Sequence, residues 1–191
     1  MLKSIEKILV DIIQHELNLP ANYGTTSNGD VIPSVIIYSQ NIKLFNTNKL
    51  QITVRTVNTN VYSNRSRNLT NSDGTYTEII DLNTKSMMQV DCYSRNNDAR
   101  DRYWEVIAAL KSDYAQQQMD LYNFKLATLP VANNISGIDG GSDINRFAIT
   151  FNVLAHQQKI NNINYYDKFR VTANNESGKF ADIANYEVET Q

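Results

Sequence analysis

An α/β chain of the α+β kind, with an antiparallel or mixed sheet, helices on one face and a long β-ribbon, is what three features of this 191-residue sequence predict. Apolar residues recur at three- and four-residue spacing near the start, which is the signature of an amphipathic helix. Three later stretches alternate apolar and polar residues, the period-two signature of half-buried strands. Between two of those strands lies "SNRSRNLTNSDGT", which is almost pure turn and loop chemistry.

The first helix is expected over 2–17. Leu2, Ile5, Ile8, Leu9, Ile12, Ile13 and Leu17 form its stripe, and Lys3, Glu6, Lys7, Asp11 and Gln14 fill the other side. Pro20 and "ANYGTTSNGD" then break the chain. "VIPSVIIYSQ" (31–40) is β-branched and aromatic, with Pro33 near its start, and predicts an edge strand. In "KLQITVRTVNTNVY" (49–62), Leu50, Ile52 and Val54 alternate with Gln51, Thr53 and Arg55. In "TYTEIIDLNTKSMMQVDCYS" (75–94), Met88, Val90 and Cys92 share one face and Gln89, Asp91 and Tyr93 the other. The two strands and the loop at 61–76 predict the ribbon.

A second helix is expected over 98–118. Asn97 or Asp98 suits its N-cap, Asp101 sits in the first turn where the helix dipole favours a carboxylate, and Tyr103, Val106, Ile107, Leu110 and Tyr114 form one stripe. "NFKLATLPVAN" (123–133) and "INRFAITFNVLAHQQ" (144–158) read as further strands, joined through the turn "SGIDGGSD". The later one is expected at the centre of the sheet because both its faces carry apolar residues. The expected core is Ile5, Leu9, Ile12, Val90, Tyr103, Ile107, Leu110, Phe147, Ile149 and Phe151. Residues 1–165 are read as one domain and 166–191 as an extended C-terminal arm with too few apolar residues for a core of its own.

Composition narrows the chemistry. A formal charge of −2 gives no general reason to expect nucleic acid or an anionic membrane as partner. No apolar run approaches the length of a membrane span, so the expectation is a soluble chain without a secretory signal. A single cysteine excludes an internal disulfide framework and suits a reducing compartment. The glycosylation sequons at Asn64, Asn68, Asn134 and Asn175 are then accidents of an Asn-rich sequence.

The candidates for catalysis or metal binding are few. His15 lies on the polar flank of the first helix, His156 at the end of a strand, and Cys92 on an apolar strand face, where it reads as a small core residue. A Cys–His pair could still meet in space. "GIDGGSD" lacks the Lys-Ser/Thr ending of a phosphate loop and the alternating acids of a calcium loop. The acids at 98 and 101 are explained by helix initiation. No catalytic, cofactor-binding or metal-binding residue is therefore expected.

What remains is interaction chemistry. The 11 tyrosines suit interfaces, since Tyr buries area while keeping a polar end. Arg65 and Arg67 could meet phosphates, while a solvated loop or a charge pair with a neighbouring subunit is the simpler reading. The expected interface residues are Tyr62, Arg65, Arg67 and Tyr76 on the ribbon, with Phe180, Tyr186 and Val188 on the arm. The alternation in "YEVET" (186–190) suits strand addition to another sheet edge.

The order of elements carries a resemblance. An apolar N-terminal helix, "IPSVIIYSQ", a long ribbon, "MMQVDCYSRNNDARDRYWEVIAAL" and "INRFAITFNVLAHQQ" together resemble the tail terminator and neck proteins of tailed bacteriophages over about residues 2 to 165. That resemblance implies a structural virion protein, assembled in the bacterial cytoplasm, that forms a hexameric ring on the tail tube. Its implied partners are the tail tube protein and the head-completion or connector protein, with a sheath or collar protein as a further candidate. DNA would pass through the ring without specific binding. The Asn-rich ribbon and the extension beyond Tyr166 depart from the pattern, so a contractile or non-contractile tail stays open. Another tail or baseplate subunit is the alternative, followed by a small enzyme or nucleic-acid-binding domain.

Overall fold

In the computed structural model, residues 4–38, 48–70, 76–139 and 142–163 are described below. They form three helices and nine strands: α1 (Ile5–Glu16), β1 (Asn22–Thr25), β2 (Val31–Pro33), β3 (Val35–Ile37), β4 (Gln51–Thr70), β5 (Tyr76–Ser94), α2 (Asp98–Ala109), α3 (Asp113–Leu121), β6 (Phe124–Leu126), β7 (Val131–Asn134), β8 (Gly137–Asp139) and β9 (Ser142–Ile163). The α+β expectation holds. No helix among the described residues is long and apolar enough to cross a membrane.

The main sheet runs β3-β4-β5-β9-β6, with β7 and β8 also paired to β9. It is mixed. β3 lies parallel to β4, with Val35 opposite Ile52 and Ile37 opposite Val54. β6, β7 and β8 are antiparallel to β9. Side-chain partners on β4 and β5 run in opposite directions, Arg55 with Gln89, Thr56 with Met88 and Thr59 with Ser86, as an antiparallel pair requires. β9 is therefore central, in agreement with its two apolar faces.

α1 is capped at both ends. Ser4 accepts from the Lys7 N–H at the start of α1. Asn18 ends the helix with φ of 48°, while its N–H donates to His15 O and the Leu19 N–H to Gln14 O. That double bond pattern around a left-handed residue closes the last turn.

The expected helix over 98–118 is two helices. Ser112 accepts from the Ala115 N–H and starts α3, so the chain turns at 110–112 and α3 continues to Leu121. Of the two expected cap residues, Asn97 stands at the N-cap of α2, but its side chain makes no capping bond. Ser94 Oγ accepts from the Ala99 N–H and Asn96 Oδ1 from the Asp98 N–H. The expected strand over 123–133 is likewise split, into β6 and β7, around "ATLP". Pro130, lacking an N–H, precedes β7. Most of the stretch expected as loop is strand: β4 reaches Thr70 and β5 begins at Tyr76, while 71–75 lie outside the described residues.

One face of the sheet carries the core. Ile8, Leu9, Ile12 and Ile13 of α1, Val106 and Leu110 of the α2 region and Met119 of α3 pack with Ile52, Val54, Met88, Val90, Cys92, Ile149, Phe151 and Val153. Of the expected core residues, Leu9, Ile12, Val90, Leu110, Phe147, Ile149 and Phe151 are buried. Ile5, Tyr103 and Ile107 are only half-buried at its margin, because they flank their helix stripes instead of lying along the middle.

The chain divides into two compact units. One is Met1–Asn64 with Leu82–Gln157, and the other is Arg65–Asp81 with Gln158–Gln191. The first holds the core above. In the second, Ile79 is buried, Ser66 donates to Glu78, Arg67 pairs with Asp81 at 3.8 Å, and the side-chain amides of Gln158 and Asn161 donate to Asp81 and Glu78. The arm at 166–191 lies outside the described residues.

Candidate functional site

Two features of the sheet stand apart from the core, a polar cluster on the face away from α1 and an exposed length of β4. The polar cluster follows from strand alternation. Where Ile52, Val54, Met88, Val90 and Cys92 point to the helices, their neighbours Gln51, Thr53, Arg55, Gln89, Asp91 and Tyr93 point the other way. These side chains find one another in sequence. The Arg55 Nη2 donates to Gln89 Oε1 at 2.9 Å, the Gln89 Nε2 to Asp91 Oδ1 at 2.8 Å, and the Arg146 Nη2 to Asp91 Oδ2 at 3.0 Å. The Arg55 guanidinium also lies over the Tyr38 ring, 5.9 Å from its centroid.

Asp91 and Gln51 are buried polar residues that keep their partners. The Tyr93 hydroxyl donates to Gln51 Oε1, and burial holds its phenol well above the usual tyrosine range. The Nε atoms of Arg55 and Arg146 are buried with no hydrogen-bond partner. Two guanidiniums against one carboxylate leave the cluster with a net positive charge. It holds three strands in one register, since every bond in the chain from Arg55 to Arg146 crosses strands or joins β5 residues two apart.

The exposed length of β4 is different in kind. From Val57 to Leu69 every residue is exposed. Val57, Val61, Tyr62 and Leu69 are among the exposed large apolar side chains, with Ile160 on β9. A strand buried on neither face contributes little to a core.

The expected interface residues fall on these strands. Tyr62 is 59% exposed on β4, and Arg65 and Arg67 follow it, also exposed. Tyr76 opens β5, half-buried. Phe180, Tyr186 and Val188 lie outside the described residues. The polar cluster was missed as a unit. Its signal was present in the polar positions alternating along 51–55 and 89–93, but nothing in one strand tells which residue of another strand lies opposite.

The residues weighed for catalysis are dispersed. Cys92 is fully buried, and burial, aided by the Asp91 charge, pushes its thiol up to about 12. It is protonated at neutral pH and enclosed by core side chains, which removes the thiolate a nucleophile needs. The His156 ring bonds Asn83 Oδ1 at 3.1 Å. His15 stacks on Tyr114, with ring centroids 4.0 Å apart, and meets Glu16 at 3.2 Å. Among the described residues no group of three or more His, Cys, Asp and Glu converges as metal ligands would. Among the described residues, open depressions lie beside Leu110, Leu126 and Leu129 and beside Glu16, Trp104 and Glu105. Glu105 in the second is already engaged by Arg102 at 2.8 Å.

No model of a known protein family matches this chain, and no curated protein matches it either.

Proposed function

We propose that this protein is a structural assembly subunit, a ring-forming tail terminator or neck protein that caps a phage tail tube and joins it to the head connector. The observation that carries the reading is β4, 20 residues long and exposed at every position from Val57 to Leu69. Strands in globular domains usually run about five or six residues. Here the core uses only the first few, and the remainder presents apolar and polar side chains together with the charged Arg65 and Arg67. The resemblance in element order supplies the ring and the tail. The catalytic reading loses its best nucleophile in the buried, protonated Cys92, while the assembly reading uses the features left over.

Native mass spectrometry of the purified chain tests it directly. A hexamer is expected, and negative-stain images should show rings. Added to polymerising tail tube protein, the rings should stop growth at one end and bind there. A chain that stays monomeric at tens of micromolar, or rings that leave tube length unchanged, would overturn the proposal.

A further inference from the structure

The rims of a sheet present unpaired N–H and C=O groups, which monomeric proteins blunt with Lys, Pro, bulges or short edge strands. β4 does little of this. β3 runs along its outer side only as far as Val54, where the Ile52 N–H donates to Ser34 O and the Tyr38 N–H to Val54 O. Beyond that point no strand among the described residues lies on the outer side of β4. The stretch from Thr56 to Asn64, "TVNTNVYSN", contains neither a charged residue nor a proline. Val57 and Val61 along it are 49% and 57% exposed.

The opposite rim is built alike. β9 is paired with β6 only up to Ala155, and the last bond on that side runs from the His156 N–H to Asn123 O. From Gln157 to Ile163, "QQKINNI", one residue is charged and none is proline. The Gln158 and Asn161 side chains donate to β5 partners, which fixes β9 on its inner side, and beyond Ala155 no strand among the described residues pairs with its outer side.

We propose that the outer edge of β4, residues 56–64, pairs with the outer edge of β9, residues 157–163, of a second copy of this chain. The two edges are different surfaces, so the contact is head-to-tail and can close into a ring. An edge pairing with itself would give a two-fold dimer and end there. The match is one of charge and chemistry. Neither edge carries charges that pairing would strip of water, apart from Lys159, and Asn58, Asn60, Gln157 and Asn162 bring side chains that both donate and accept. A strongly acidic or basic partner finds no counter-charge along 56–64. This inference rests on the ring reading above and names the surfaces that make the ring.

Disulfide trapping tests it, and the buried Cys92 does not compete for oxidant. Asn58→Cys and Asn60→Cys place a thiol on exposed β4 positions, and Gln157→Cys and Asn162→Cys on exposed β9 positions. Each β4 variant is mixed with each β9 variant under mild oxidation and run without reductant. At least one mixture should give a covalent dimer, while every single variant alone stays uncross-linked. A β4 variant that dimerises alone would establish two-fold pairing and overturn the proposal. Rings on native mass with no cross-link in any mixture would overturn the edge pairing and leave the ring. A monomer would overturn both, and trapped rings that do not cap tail tubes would overturn the tail reading alone. As a second arm, Asn58→Lys with Asn60→Lys should weaken self-association at least tenfold while leaving the circular dichroism of the monomer unchanged. Unweakened association in that variant also counts against the proposal.

Discussion

β4 is one strand with two characters. From Gln51 to Val54 every side chain is buried on both faces, whereas from Val57 to Leu69 every one is exposed. The backbone conformation is the same throughout, so it does not account for the difference. What differs is covering: Ile52 and Val54 belong to the core cluster that includes α1, and on the other face Gln51 accepts from the Tyr93 hydroxyl while Thr53 is buried. The first few residues belong to the buried part of the sheet, and from Val57 to Leu69 no side chain of β4 is buried. The comparison predicts that substitutions in the covered part cost folding and those in the exposed part cost association.

The largest effect is expected in the covered part. Ile149 is fully buried on β9, where it packs in the same cluster as α1, β4 and β5. Ile149→Ala removes three carbons and leaves a cavity, at a cost of about 2–5 kcal/mol in urea unfolding. Ile107→Ala, at the half-buried margin, should cost distinctly less. Equal costs at the two positions would mean that the core is not centred where its buried residues place it.

The polar cluster should come next. Asp91 accepts from both Gln89 and Arg146. Asp91→Ala leaves two donors unmet and should cost about 1–3 kcal/mol. The Arg146 side chain is 38% exposed, so it can turn to water and keep the cost in that range. A double-mutant cycle with Arg146→Ala should return a coupling of at least about 0.5 kcal/mol. Additive costs would show that the pair does not act together.

Cys92 gives the covered region a pH signature. Its folded pKa of about 12 lies above the ordinary cysteine value of about 8.5, so the unfolded chain loses its proton first. Cys92 therefore contributes full stability below about pH 8.5 and loses it progressively as pH rises toward 12. The decline is at most about 1.4 kcal/mol per pH unit. Tyr93, also raised by burial, adds to the loss at higher pH. Urea midpoints between pH 7.5 and 10 should fall for the native chain and fall less for Cys92→Ala. An identical slope in both would show that another group sets the alkaline limit.

The sequence displayed the covered part far better than the exposed part. α1 and the central strand β9 were legible because burial imposes a period, and Ile8, Leu9 and Ile12 or Ile149, Phe151 and Val153 repeat at it. The stretch 63–70 reads as loop because Ser, Asn and Arg are turn residues, yet it is strand, held by cross-strand partners such as Ser66 with Glu78. No local period records a partner 12 residues away. The break between α2 and α3 was signalled weakly by Ser112 followed by Asp113, a cap and a first-turn acid set inside an otherwise continuous apolar stripe. The interface candidates on β4 were found from residue type, whereas the polar cluster required register, which only pairing supplies.

The smallest folding effect is expected where the association effect is greatest. Val61 is 57% exposed on β4, so Val61→Thr, which keeps the β-branched shape and strand preference, should change unfolding free energy by no more than about 0.5 kcal/mol. An apolar residue at an interface contributes only when a neighbour covers it, and the loss then appears in the concentration at which copies assemble. Sedimentation of Val61→Thr beside the native chain should therefore show a monomer of unchanged stability with a raised assembly midpoint. Tyr62→Ala, which removes a ring from the same exposed stretch, should raise it further, because Tyr anchors interfaces with more area at low entropic cost. If both variants assemble like the native chain, the apolar side chains of β4 lie outside the contact, and backbone pairing along 56–64 would have to hold the subunits without them.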